Sequence, residues 1–405
     1  MHSRYLKAVF WFCMLLTGYV YFLYPILLTR LSRFLSRHYI KNEIIPPVSI
    51  IISAYNEERT IAAKIENTLS LDYPRELMEI IVGSDGSTDR TDEIVRSYAD
   101  RGVRLLAFPE NRGKTMVQND CMLEASHEIV VFMDAASMCE QQALRKLVAN
   151  FADGRVGAVA GRVVFTRENE NLTTKSQGIY WKYEQILKKA ESSLGSLVGV
   201  DGPLYAIRKS LYTKLDQDMM SDLISPLLVI SGGHGVVYEP EAVTFEEANA
   251  STSDEFNARR RIVARGFTGI SRYPELINPS KKPLLAWQIF SHKILRWLVG
   301  FYYLGMLISS LFLASRRFFL LAFSGLAAIL CLSCYSLAAG NTPKKWPAVP
   351  YYFVLVNLAA VFGFIDYLRG KRVVSWNPVR ENGRTNNAHE GGPDTLERAV
   401  RVIQQ

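Results

Sequence analysis

Three short runs of β-branched and apolar residues, each ending on a carboxylate or small polar residue, constrain this chain most. Val48-Ser49-Ile50-Ile51-Ile52 runs into Ser53-Ala54-Tyr55-Asn56-Glu57. Ile80-Ile81-Val82 runs into Gly83-Ser84-Asp85-Gly86-Ser87-Thr88-Asp89, and Ile129-Val130-Val131-Phe132-Met133 into Asp134-Ala135-Ala136-Ser137. Continuous apolar runs are the pattern of parallel strands buried on both faces. Polar residues at their C-terminal ends fall where an open α/β sheet binds its ligand. Between the runs, Ile61, Ile65 and Leu69 recur at helical spacing, and Thr88-Asp89-Arg90-Thr91 offers caps for a helix through Tyr98. Val103 to Phe108 reads as a further strand, Lys114 to Ala125 as a helix, and Val156 to Ala160 and Gly235 to Tyr238 as later strands. The alternation predicts an α/β fold, a doubly wound Rossmann-like sheet with a nucleotide-type crevice at its carboxyl edge.

The flanks are of a different kind. Ala8 to Thr29 carries no formal charge, and Trp297 to Ala314, Phe318 to Ala338 and Val349 to Tyr367 are also apolar. Crossing the hydrocarbon takes about 20 such residues in a helix. The first stretch is too long for a cleaved leader, and no small-residue cleavage pattern follows it. Arg30, Arg33, Arg37 and Lys41 come next, which puts the following segment on the cytoplasmic face of a cell membrane. The net charge of +8 sits mainly at these membrane edges, as expected for attraction to anionic lipid and not for nucleic-acid binding. Cys331 and Cys334 have C-x-x-C spacing without a second pair or nearby histidines, so a zinc site is not expected there. The expected organisation is an N-terminal span and basic collar (1–40), a domain of soluble composition (41–280), an interfacial helix with about three spans (281–370) and a polar tail (371–405). Pro283 to Arg296, which mixes Trp287 and Phe290 with His292, Lys293 and Arg296, reads as a helix lying on the membrane surface. One span before the domain and three after would leave the tail outside, whereas Arg369, Lys371 and Arg372 argue for a tail inside. A re-entrant C-terminal segment would reconcile the two.

These motifs, in this order, resemble the membrane-bound family 2 glycosyltransferases, the inverting GT-A group that contains the synthases of cellulose, chitin, hyaluronan and poly-N-acetylglucosamine. The matching segments include Ser84 to Asp89, Asn111-Arg112-Gly113-Lys114, Asp134 to Ser137, Tyr180 to Glu184, Asp201 to Arg208 and Ser221-Asp222. The resemblance implies a nucleotide-sugar donor, UDP-linked by expectation, with Asp85 contacting the uracil and Tyr55 and Glu57 flanking base and ribose. It implies that Asp134 holds a divalent cation, Mg²⁺ or Mn²⁺, against the diphosphate. The family's second carboxylate is here Ala136, so metal dependence is open. Arg259, Arg260 and Arg261 fall where the family binds diphosphate, a role that suits a guanidinium fork, and Lys114 after Gly113 either meets phosphate too or only begins a helix. Asp201, Gly202 and Trp181 fall on the acceptor side, and Asp222 at the position of the catalytic base, with Ser221 in place of an acid before it. Trp376 to Arg380 resembles a tail segment that closes over nucleotide in hyaluronan synthases.

The expected function is transfer of a sugar, with inversion, to a glycan or lipid-linked acceptor in cell-surface polysaccharide synthesis, by processive or single addition. The alternative is a membrane scaffold or transport component whose sheet binds nucleotide without turnover. The substitutions at Ala136, Ser221 and Ile262 keep that alternative open. The sequence names the membrane lipid as a neighbour and no protein partner.

Overall fold

The computed structural model describes residues 2–166, 172–247, 252–338 and 348–371. Its centre is one eight-stranded sheet. The strands are β1 (Val48–Ala54), β2 (Met78–Asp85), β3 (Val103–Phe108), β4 (Ile129–Asp134), β5 (Ser137–Cys139), β6 (Val156–Thr166), β7 (Leu204–Arg208) and β8 (Gly235–Glu247), in the order β3-β2-β1-β4-β7-β6-β8-β5. β1 pairs in parallel with β2 and β4, and β2 with β3. Both faces of β1 are covered. Ile50 and Ile52 join one apolar cluster with Ile80, Val82 and Val131, while Ile51 joins another with Ile81, Val130 and Phe132. That two-sided burial is why these strands read as unbroken apolar runs and not as alternation. The register brings Ser53 opposite both Gly83 and Asp134, so the polar ends of three strands share one edge.

The second half of the sheet departs from a doubly wound pattern. β7 runs antiparallel between β4 and β6, and β5 antiparallel to β8. Apolar patterning carries no information on strand direction, and β7 lies inside the Asp201 to Arg208 motif. β6 and β8 are also longer than their apolar cores. The β6–β8 ladder shifts register between Ala160 and Arg162, where Gly161-Arg162 interrupts the run, and then continues.

Helices of membrane-span length flank this sheet. Ser3–Phe34, Arg317–Leu337 and Val349–Leu368 are each long and apolar enough to cross a bilayer. Pro283–Trp297 and Val299–Phe312 form a bent pair at 53°, either a broken span or a re-entrant loop. Two of the basic side chains of Pro283–Trp297, which the interfacial reading expects at the lipid surface, are paired with carboxylates within the protein. His292 Nδ1 lies 2.7 Å from Glu191 Oε1 and its Nε2 3.3 Å from Glu184 Oε2, and Arg296 pairs with Glu184. Tyr24, on the N-terminal helix, donates to the same Glu191 at 3.0 Å. These carboxylates sit on the Leu172–Ser193 helix, about a hundred residues away in sequence, so no local pattern reveals them. The Trp376 to Arg380 motif, and a short helix expected from Leu396 to Ile403, lie outside the described residues.

Candidate active site

The site is built at the common edge of β1, β2 and β4. Two loops meet there first. Asn56 turns the β1 loop with φ of 52° and accepts the Thr88 N–H at 2.7 Å, while its own N–H donates to Ser87 Oγ at 3.0 Å. Glu57 is buried, takes the Thr60 hydroxyl at 2.5 Å and donates its N–H to Thr91 Oγ1 at 2.7 Å. Tyr55 lies half-buried at the head of the same loop. These contacts tie the β1 and β2 loops together at the sheet edge, around the residues for which the resemblance implies contacts with base and ribose.

Asp85 closes β2 fully buried. Its two carboxylate oxygens accept the N–H groups of Arg112 and Gly113, each at 2.8 Å. Burial pushes its pKa up, with those two N–H groups opposing. Gly86, at φ +70°, must stay glycine, since a Cβ there would lie 2.6–2.7 Å from the Glu110 and Asn111 backbone. Asp85 therefore anchors the Asn111-Arg112-Gly113 turn and, one residue on, sets the start of the Lys114–Glu124 helix.

Lys114 reaches from that helix to Asp134 at the end of β4 and pairs with its carboxylate. Its Nζ also lies 3.5 Å from the Gly202 carbonyl. Gly202 is the centre of the arrangement. A methyl placed on it would lie 3.0 Å from Lys114 Nζ, 3.2 Å from Asp222 Oδ2 and 3.9 Å from Asp134 Oδ2. Three side chains that are 20 to 108 residues apart in sequence thus converge on one point. Asp222 sits in the first turn of the Ser221–Ser231 helix, and its carbonyl accepts the Val200 N–H at 2.8 Å, tying it to the Asp201-Gly202 loop. Burial lifts the Asp222 pKa, Lys114 and Arg265 oppose, and the charges of Asp134 and Asp201 add to the rise.

The arginines divide by helical geometry. Successive residues of the Thr252–Arg272 helix point about 100° apart. Arg260 forms a two-pronged pair with Asp366 at 2.5 and 2.8 Å, and Arg259 pairs with Glu255 at 2.8 Å and meets the Tyr352 hydroxyl at 3.1 Å. Arg260 is therefore committed to the Ala348–Leu368 helix and not to the Asp134–Asp222 group. Arg261 is half-buried and within electrostatic reach of Asp222: burial lowers its pKa and the Asp222 charge raises it. Arg265, one turn on, is buried against Thr115 Oγ1 at 3.0 Å and the Gln217 and Met219 carbonyls. Burial pushes its pKa down to about 10, against the pull of Asp222.

Of the residues expected to bind acceptor, Asp201 pairs with Lys188, whose Nζ lies 5.4 Å from the Trp181 ring centroid. The Trp181 ring in turn lies 5.0 Å from Phe165. Asp201, Gly202 and Trp181 are thus joined through Lys188. Three residues that sequence reasoning missed stand here. Arg265 carries the signal of i+4 spacing from Arg261, and Glu246 that of a carboxylate near a strand end; Lys188 carries none. Glu246 is half-buried, and burial together with the Asp134 charge raises its pKa to about 8, Lys114 opposing.

The oxygen donors at the end of β4 bear on whether a divalent cation fits there. Asp134 offers a carboxylate and Ala136 offers nothing, and among the described residues no three His, Cys, Asp or Glu side chains gather to hold a metal alone. Such a set fits Mg²⁺ or Mn²⁺ that takes its other positions from diphosphate and water, as these hard cations usually do.

Comparison with known proteins agrees with this architecture. Residues 49–215 match the family model described as Glycosyl transferase family 2. A probable glycosyltransferase YdaM of Bacillus subtilis (strain 168) is 28% identical over 225 residues, 50% of this chain and 51% of that protein. The poly-β-1,6-N-acetyl-D-glucosamine synthase of Staphylococcus aureus (strain COL) is 28% identical over 203 residues, 48% of each. The chain thus spans about half the length of the curated relatives it matches. A solved mannosyltransferase, PcManGT of Pyrobaculum calidifontis in complex with GDP-Man and Mn²⁺, covers 90% of this chain and 99% of its own at a TM-score of 0.68 and 23% identity. That likeness reports the fold. The mixed sheet, its aligned polar edge and the family match together show that residues 49–215 are a Glycosyl transferase family 2 domain on a GT-A fold.

Proposed function

We propose that this chain is a membrane-bound, inverting glycosyltransferase that moves a sugar from a nucleotide-linked donor, UDP by expectation, to a hydroxyl of a glycan or lipid-linked acceptor. The observation that carries the reading is the convergence of Lys114, Asp134 and Asp222 on Gly202. Inversion is one in-line displacement. The acceptor oxygen attacks the anomeric carbon from one side while the nucleoside diphosphate leaves from the other. Asp222, with its raised pKa, is placed to take the acceptor proton as the bond forms, a role that typically contributes about 10²–10⁴-fold. Lys114 and Arg261 supply positive charge for the departing diphosphate. A divalent cation, when bound at Asp134, adds charge neutralisation to the same leaving group. Asp85 holds the turn that delivers Lys114, and the cross-linked β1 and β2 loops favour a fixed seat for the nucleoside.

A cytoplasmic face for this domain in a multi-pass cell-membrane protein is part of the proposal. If the bent pair 283–312 is re-entrant, exposed Arg316 and Arg317 fall on the same side as the domain, and so do Arg369 and Lys371. All of them then obey the positive-inside rule. Protease protection of a tagged C-terminus tests this: protection in inside-out vesicles would contradict it.

The donor test is a screen of UDP- and GDP-sugars, including UDP-N-acetylglucosamine and GDP-mannose, on purified membranes. Release of nucleoside diphosphate that rises with Mn²⁺ or Mg²⁺ supports the reading. Nucleotide binding without turnover of any donor would favour the scaffold alternative.

A further inference from the structure

The Asp134 turn lacks its second carboxylate, and the fold places another one beside it. β5 follows that turn directly and pairs antiparallel to β8 with Ser137 opposite Glu246. Residues directly opposed in such a pair project from the same face, with Cβ atoms about 4.5–5.5 Å apart. The Ser137 side chain is buried on that face: its hydroxyl donates to the Asp134 carbonyl at 3.0 Å and to the Pro203 carbonyl at 3.3 Å, tying β5 to both the Asp134 turn and the segment after Gly202. The Glu246 carboxylate has no hydrogen-bond or ion-pair partner among the described residues, although it is half-buried and lies in the field of Asp134, Asp201 and Lys114. A poorly solvated carboxylate among like charges is costly unless a cation joins it.

We propose that Glu246 is the second carboxylate of the divalent-cation site, doing from β8 what Ala136 does not do from the Asp134 turn. This deepens the glycosyl-transfer reading and rests on it. Two carboxylates plus diphosphate oxygens make a donor set of the hard-oxygen kind that Mg²⁺ and Mn²⁺ prefer. The cation competes with Lys114 for Asp134, so its binding frees that ammonium towards the diphosphate.

The test measures Mn²⁺ binding by electron paramagnetic resonance on the full chain in detergent, with UDP or GDP present, and needs no turnover. Glu246→Gln is expected to weaken Mn²⁺ binding by at least the ~10–100-fold that loss of a metal-supporting group typically costs. Glu247→Gln, one residue on, is expected to bind as wild type. Adding Ala136→Asp to Glu246→Gln is expected to recover most of the loss, which separates a vanished ligand from a damaged fold. Mn²⁺ binding by Glu246→Gln equal to wild type overturns the assignment, as does failure of Ala136→Asp to recover the loss. Wild type that binds nucleotide and transfers sugar without binding Mn²⁺ overturns it too, and leaves the transferase reading standing. Wild type that binds neither nucleotide nor Mn²⁺ removes both.

Discussion

Gly202→Ala separates function from stability at the point where the site converges. The backbone there lies outside the left-handed region, so alanine is conformationally acceptable. Such a replacement stabilises a fold by about 0.4–1 kcal/mol where nothing clashes, through the unfolded chain. Its new methyl group, however, would stand 3.0 Å from Lys114 Nζ and 3.2 Å from Asp222 Oδ2. Both neighbours must give by a few tenths of an ångström, and the room between them, where the reading puts the reacting centre, shrinks by one methyl. A displacement near 1 Å at a reacting centre costs about 10²-fold. We therefore expect kcat/KM to fall by about two orders of magnitude, with the midpoint of thermal unfolding nearly unmoved. The assay is nucleoside diphosphate release in membranes, paired with thermal unfolding in detergent. A variant that keeps activity within about threefold of wild type (about 0.6 kcal/mol of barrier) would refute the geometry.

Four further outcomes follow from the same contacts. Arg260→Ala should leave the donor KM unchanged while loosening the last membrane helix, because its guanidinium is held by Asp366; Arg261→Ala should raise that KM. The pH profile of kcat/KM should rise through a midpoint above the ordinary aspartate range near pH 4, since Asp222 acts deprotonated and burial lifts its pKa; Asp222→Glu should shift that limb without abolishing it. Asp153, held low by Arg155 and by the Ile40 N–H, contributes stability that is full above the ordinary aspartate pKa and lost as pH falls below it; Asp153→Asn should flatten acid unfolding, read by a pH titration of the unfolding midpoint. Gly195→Ala should destabilise the fold by about 1–3 kcal/mol, because that residue sits at φ +67° and a Cβ would overlap the Tyr39 hydroxyl; denaturant unfolding measures it.

The parallel half of the sheet was legible because its strands are buried on both sides and so declare themselves as apolar runs. The positions of Asp85, Asp134 and Lys114 at strand ends and a first helical turn were legible for the same reason, while the roles expected of them came from the resemblance. Asp222 was found by resemblance alone, since one carboxylate opening a helix is locally indistinguishable from a dipole partner. What stayed hidden depends on contacts between distant segments. Arg260 and Arg261 look equivalent in sequence, yet the step of about 100° between neighbouring helical residues sends the first to Asp366 and leaves the second within reach of the Asp222 charge. His292 and Arg296 read as lipid-facing until Glu184 and Glu191 arrive from another helix. Glu246 owes its place to a bulged ladder whose second half carries a weak apolar signal.

The account turns on Asp222 acting on the acceptor while the donor is held by other groups. The direct measurement is donor affinity and sugar transfer in parallel for Asp222→Asn, a substitution of nearly equal size. The prediction is donor binding close to wild type with transfer reduced by about 10²–10⁴-fold. Transfer at the wild-type rate, or loss of donor binding in step with loss of transfer, contradicts it.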